Sequence, residues 1–367
     1  MAHNDQLPFV FGENSVSVAS FTVKCLDGLP PAPVFIIDED GDLILQVGSE
    51  AQGNQRKTSA FRVCSKTLSR SSPVMKKMLY GGFAESKPPG DQPWTVHLPE
   101  DNPEALEVLL NIIHSRFDRV TSKVINIDDL YNITILTDKY DLTRMLQPWV
   151  EKWRDGAGMN ESSLTGSLSE SKHLEKKLWI TWDLGDLKNF ELLVGRIASI
   201  CEIDSNGKLT RLHMGKKKIS TWFHNVTEPP DIQELIVNTR MRKIEDLLAR
   251  MNMTVAGLIQ WAPGELDCKQ GISSCNATIL GSIIRSLAKD GLWPIPDPSK
   301  FNKSVTYLLK LLKLLDISTS DRHWSCKEMV TLWKDNITTD IQPQLSDMHK
   351  RHCLEQAKKS GLNVYGD

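Results

Sequence analysis

The chain has 367 residues, of which 40% are hydrophobic and 25% charged, the balance of an ordinary globular protein with room for two or three domains. Its 44 basic residues face 46 acidic ones, a net charge of −2. That near-neutrality removes the electrostatic reason to expect direct nucleic-acid binding or an acidic membrane surface as the main partner.

The N-terminal residues lack a basic stretch followed by an apolar run, so no secretory signal is expected. No apolar run approaches the roughly 18 residues of a membrane span. Seven scattered cysteines (25, 64, 201, 268, 275, 326 and 353) fit reduced thiols in cytoplasm or nucleus. Asn-x-Ser/Thr sequons such as Asn132 and Asn225 are then chance matches.

In chain order, residues 1–34 show no helical period and end in Gly28–Pro33, rich in proline. They are expected to form a loosely ordered arm. Val34–Ile37 and Leu43–Val47 are strand-like, with a turn signal at Asp38–Gly41 between them. Ala60–Cys64 is a further strand. Two short helices follow, the first with Ser65 as its expected cap, the second opened by Ser72-Pro73 and stopped by Gly81-Gly82. Trp94–Leu98 is the next strand.

The period then changes to that of a helix. Pro103 starts one with Leu106, Leu109, Leu110, Ile113 and Phe117 on one face. A second begins near Asp128 with Leu130, Ile133, Thr134, Thr137 and Tyr140 inward. A third is expected to carry Leu142, Met145, Leu146, Trp149, Val150 and Trp153. Strands followed by helices indicate an α+β domain over residues 35–158.

A Ser/Glu-rich linker, 159–171, separates it from residues 172–367, which read as all-helical. His173–Trp182 and Leu187–Cys201 resemble a helical hairpin around Gly185. Asp231 opens a long helix with Ile232, Leu235, Ile236, Ile244, Leu247, Leu248 and Met251 at core spacing. Asn276–Lys289 and Val305–Leu315 are two more helices. No repeat of fixed period is present.

Several segments resemble the BTB/POZ family in the order strand, strand, two short helices, strand, helices. They are Gly41–Gly48 (GDLILQVG), Phe61–Met75 (FRVCSKTLSRSSPVM), Val96–Leu106 (VHLPEDNPEAL) and Leu136–Leu142 (LTDKYDL). In the last, Thr137 stands where alanine is usual, and Cys64-Ser65 stands where many members have histidine. Leu178–Trp182 (LWITW), Met241–Leu248 (MRKIEDLL) and Gly291–Pro296 (GLWPIP) are similar to segments in the helical C-terminal half of BTB proteins of filamentous fungi. The resemblance implies a small sheet of at least three strands flanked by helices, then an all-α region. It implies a protein-interaction module, acting as scaffold or adaptor by binding itself or other proteins.

Within that resemblance, Phe83-Ala-Glu85 lies in the loop where cullin-recruiting members carry a hydrophobic-x-Glu motif. An exposed aromatic anchors in a partner pocket and a nearby carboxylate sets orientation. Phe83 and Glu85 are therefore the candidate partner-binding residues for a cullin-type ubiquitin-ligase scaffold. The blander reading folds Phe83 into the core. A transcriptional co-regulator without a DNA-binding domain is a further alternative.

Other candidates weigh toward structure. Cys268 and Cys275 are seven apart and His349, His352 and Cys353 cluster late, but neither spacing fits a standard zinc site, so buried thiols and a solvated helix face are expected and no metal. Gly215–Lys218 reads as a solvated basic loop. Trp149, Trp153, Trp179, Trp182 and Trp261 fall at core spacing, where packing is the default. No phosphate loop, dinucleotide fingerprint, nucleophile elbow or HExxH is present. The expectation is a non-enzymatic protein without cofactor or small-molecule substrate.

Overall fold

In the computed structural model, the structure describes residues 34–48, 58–90, 92–120, 125–160, 163–164, 173–212, 219–260, 264–320 and 324–362. Residues 1–33 of the expected N-terminal arm, most of the expected linker, the basic run 215–218 and Trp261 lie outside them. The chain divides into two compact units: Met1–Thr121 with Lys139–Leu142, and Ser122–Asp138 with Thr143–Asp367. Residues 143–158, expected with the first domain, fall in the second unit.

The first unit is built on a four-stranded sheet in the order β1-β3-β2-β4, formed by β1 (Val34–Ile36), β2 (Leu43–Val47), β3 (Ser59–Val63) and β4 (Thr95–Leu98). The Asp38–Gly41 turn forms, with Gly41 N donating to Asp38 O at 3.1 Å, but the strands it joins are not neighbours. β3 lies between them, parallel to β1 and antiparallel to β2, while β4 runs parallel to β2. Gly41 needs its missing side chain here, since a Cβ would sit 2.8 Å from Val63 O. Alternation along β2 buries Leu43, Leu45 and Val47, which share a core with Phe61, Val63, Val96 and Leu98.

Helices α1 (Ser65–Ser71), α2 (Pro73–Tyr80) and α3 (Pro103–Ile113) supply Leu68, Met75, Leu79, Leu106, Leu109 and Leu110 to the buried set. Two expectations are corrected. Ser65 is not the cap of α1. Cys64 holds that position without a side-chain bond, and Asp42 accepts from Ser65 N and Oγ, both at 2.8 Å. A carboxylate thus meets the free N–H groups of the first turn. Phe117 does not extend the face of α3: the helix ends at Ile113, and the ring is 56% exposed. Ser72 does cap α2, accepting from Met75 N at 2.9 Å.

The LTDKYDL segment ends α4 (Ile127–Tyr140). Within the first unit, Lys139 and Tyr140 Oη both bind Asp101, in the turn before α3, and Ser72 Oγ donates to Tyr140 O at 2.6 Å. Asp101 therefore meets a cation and a phenol, which offsets the cost of burying it.

In the second unit, the expected third helix is two pieces: a 3₁₀ turn (Thr143–Leu146) and α5 (Val150–Gly156). Pro148 between them has no N–H to continue the ladder. α6 (Leu174–Leu184) and α7 (Leu187–Ile200) form the hairpin, with Gly185 at φ +77° closing α6. The all-helical expectation for 172–367 is overturned by an antiparallel sheet of β5 (Glu202–Ile203), β6 (Leu209–Leu212) and β7 (Ile219–Thr221). Asp204–Lys208 makes the turn between β5 and β6, with Asp204 Oδ1 accepting from Asn206 N and Lys208 N and Gly207 at φ +78°.

The long helix α8 (Ile232–Gln260) buries every residue predicted for its inner face. Its second half packs with α9 (Ser273–Lys289), α10 (Val305–Lys313) and α11 (Trp324–Asp335) around one core. α12 (Asp347–Ser360) packs against α6. Among the described residues no helix is long and apolar enough to cross a membrane.

Candidate functional site

The loop after α2 is stapled by its own backbone. Gly81 ends the helix, and Gly82 at φ +82° turns the chain. Ser86 N donates to Phe83 O at 3.0 Å, Ser86 Oγ accepts from Gly82 N at 2.9 Å, and Lys87 N donates to Leu79 O at 3.1 Å. Trp94 Nε1 donates to Glu85 O at 2.9 Å, so the loop is tied to the residue before β4. On this frame Phe83 is 55% exposed and not folded into the core; its ring edge lies over Gly81. Glu85 is half-buried beside it in sequence. A fixed backbone carrying an exposed aromatic lowers the ordering cost of binding a partner. At the opposite margin of order β1-β3-β2-β4, edge strand β1 exposes Phe35 and Ile36. Cys64, where the family resemblance expects histidine, is half-buried, and its N–H donates to His114 Nε2 at 3.1 Å.

The second unit holds the titratable clusters. Asp183 on α6 is fully buried. Its Oδ2 accepts from Thr137 Oγ1 at 2.8 Å, and its Oδ1 from Thr143 Oγ1 at 3.2 Å. Burial pushes its carboxyl up from 3.8 to about 8, with Asp138 adding to the rise and the two threonine hydroxyls and Lys359 opposing it. His349 and His352 do not form a metal cluster with Cys353. His349 bonds Ser346 Oγ at 2.7 Å and Pro230 O at 3.0 Å, while His352 stacks on Trp182 with ring centroids 3.7 Å apart. Trp153, Trp179 and Trp182 are buried as predicted, and Trp149 stacks on Trp153.

Cys268 and Cys275, expected as separate buried thiols, are brought together with Cys326. The three sulfurs lie within 4.8 Å of one another, the one such group of potential metal ligands among the described residues. Sequence reasoning missed Cys326, whose position 58 residues from Cys268 carries no spacing signal. None of the six described cysteines is in a disulfide.

Comparison with protein-family models, with curated proteins and with solved structures gives no match to this chain in any of the three.

Proposed function

We propose that this chain is a protein-interaction scaffold or adaptor whose first unit is a BTB/POZ-type module. The observation that carries the reading is Phe83, exposed at the tip of a loop whose backbone is held by hydrogen bonds on both sides. The element order β2, β3, α1, α2, β4, α3, α4 supports it, since it runs strand, strand, two short helices, strand, helices. Edge strand β1 adds a second adhesive surface. Among the described residues β1 ends the sheet, and its exposed Phe35 and Ile36 suit a second copy or a related module, although Arg116 already donates to Ile36 O at 2.7 Å.

Exposure of Phe83 with Glu85 two residues on favours one specific partner, a cullin-type ubiquitin-ligase scaffold, and hence a substrate-adaptor role. The test is affinity purification of the tagged chain from its native cells beside a Phe83→Ala/Glu85→Lys version. A cullin recovered with the parent and lost with the variant supports the adaptor. Recovery of the chain itself or of related modules, equal in both, leaves the scaffold reading and rejects the cullin. If neither preparation retains any protein partner, the interaction reading is wrong.

A further inference from the structure

Three features of the thiol cluster act together. The first is spacing. Cys326 Sγ lies 3.7 Å from Cys268 Sγ, and all three sulfurs lie within 4.8 Å of one another. Sulfurs bound at about 2.3 Å to one tetrahedral ion stand about 3.8 Å apart, so this cluster needs only small adjustment to close around an ion.

The second is the electrostatic setting. Cys275 is the third residue of α9 and Cys326 the third of α11, so both sit in a first helical turn, where the helix dipole favours negative charge. Cys268 lies in the preceding loop, where Gly271 at φ +67° turns the chain and the N–H groups of Gln270 and Ile272 donate to its sulfur. Ser320 N–H donates to Cys275. A neutral thiol is a weak acceptor that gains little from such donors, whereas a metal-bound thiolate gains much.

The third is the scaffold. Asn276 Oδ1 accepts from Cys268 N at 2.7 Å and its amide nitrogen binds Asp267, which fixes the Cys268 loop on α9. Ser282 and Ser286 on α9 accept from Ser318 N and Asp316 N at 2.9 and 3.0 Å. These bonds hold the segment that delivers the Ser320 N–H. The three thiols are buried, and the chain neighbours of two of them, Lys269 and Ser325, line an open groove of about 480 Å³ together with Glu265 and Glu328.

We propose that Cys268, Cys275 and Cys326 bind a thiophilic d¹⁰ metal ion, Zn²⁺ or Cu⁺, through three thiolates. Each thiol releases its proton as its sulfur bonds to the ion, so three protons leave and no redox change occurs. The ion supplies the positive charge without which three thiolates could not remain buried together. Cu⁺ is satisfied by the three sulfurs; Zn²⁺ takes a fourth ligand, such as a water molecule. The site clasps the Cys268 loop, α9 and α11, a structural role independent of the interaction surface of the first unit.

The test begins with the full chain purified in reductant without chelator, its metal measured by mass spectrometry. After stripping, it is titrated with Zn²⁺ against a chromophoric chelator, with Cd²⁺ to read thiolate charge-transfer absorption, and with Cu⁺ against bicinchoninate. One ion per chain is expected. Affinity should fall at least 100-fold in Cys275→Ser and Cys326→Ser and stay unchanged in Cys201→Ser, a buried thiol outside the cluster. The ion that co-purifies and holds against the matching chelator identifies the metal. The proposal is overturned if stripped but folded parent protein takes up neither ion. It is equally overturned if the serine variants bind as the parent does, or if the parent isolated without oxygen carries a Cys268–Cys326 disulfide and no metal.

Discussion

Replacing Asp183 with asparagine should make the protein more stable at pH 8 and leave it nearly unchanged at acid pH. The carboxyl is fully buried, and its ordinary value of 3.8 is pushed up to about 8, burial being the main cause. At neutral pH the native state therefore holds a proton that the unfolded chain has lost. Between about 4 and 8 the native state binds one proton more than the unfolded state, so stability falls as pH rises, by up to about 1.4 kcal/mol per pH unit. Over that window the loss reaches at most about 6 kcal/mol, an upper bound because buried sites relax. A protonated carboxyl also needs an acceptor. Gln356 provides one: its amide lies 3.4 Å from Asp183 Oδ1, and its Oε1 is buried without a partner. Turning that amide over places Oε1 against the Asp183 hydroxyl. Asparagine offers an N–H to the same oxygen, keeps an acceptor for Thr137, and never ionises. Urea-denaturation midpoints of parent and Asp183→Asn at pH 5, 6.5 and 8 give the test. The variant's advantage should be at most about 1.6 kcal/mol at pH 5 and widen steadily to pH 8. A constant difference, or a parent more stable than the variant at pH 8, would mean that the carboxylate is charged and paired in the native protein, and the reasoning would fail.

Gly185→Ala should destabilise by on the order of 3 kcal/mol or more, because φ is +77° and a Cβ would fall 2.1 Å from Ala357 N, which is backbone and cannot swing aside. Chemical denaturation measures it, and a loss below about 1 kcal/mol would mean that α12 yields. Ser72→Ala removes both the cap of α2 and the donor to Tyr140 O, for about 2 kcal/mol, again by denaturation. An effect within about 0.5 kcal/mol would show that water replaces both bonds. Phe83→Ala should leave stability within about 0.5 kcal/mol of the parent while costing partner recovery. A thermal-shift drop worth more than about 1 kcal/mol would instead assign the ring to the fold.

Much of the local architecture was legible in the sequence. The strand expected at Leu43–Val47 formed, and the inward face of α8 from Ile232 to Met251 buried the residues predicted for it. Ser72-Pro73 and Pro103 opened helices where their missing or capped N–H groups allow. Other elements were silent. β5 to β7 are two to four residues long, too short for a period of two to stand out. α12 buries His349, Cys353, Gln356, Ala357 and Ser360, so its inner face is largely polar and leaves no hydrophobic stripe. The approach of α6 supplies that face with partners such as Asp183 and Leu184 O.

The Phe83 loop was placed by sequence, but whether its ring faced solvent depended on how the loop was tied to Leu79 and Trp94. The cysteine cluster was beyond reach, because its members come from a loop and two helix starts separated by α10. By itself the sequence determined where the strongly patterned helices and strands form, since those depend on neighbours within a few residues. Only the tertiary structure decided that β3 enters between β1 and β2, that Asp183 is fully buried, and that three distant thiols meet. Each of these depends on which distant segments pack together, and that is chosen by the free energy of the whole packed unit rather than by any local stretch.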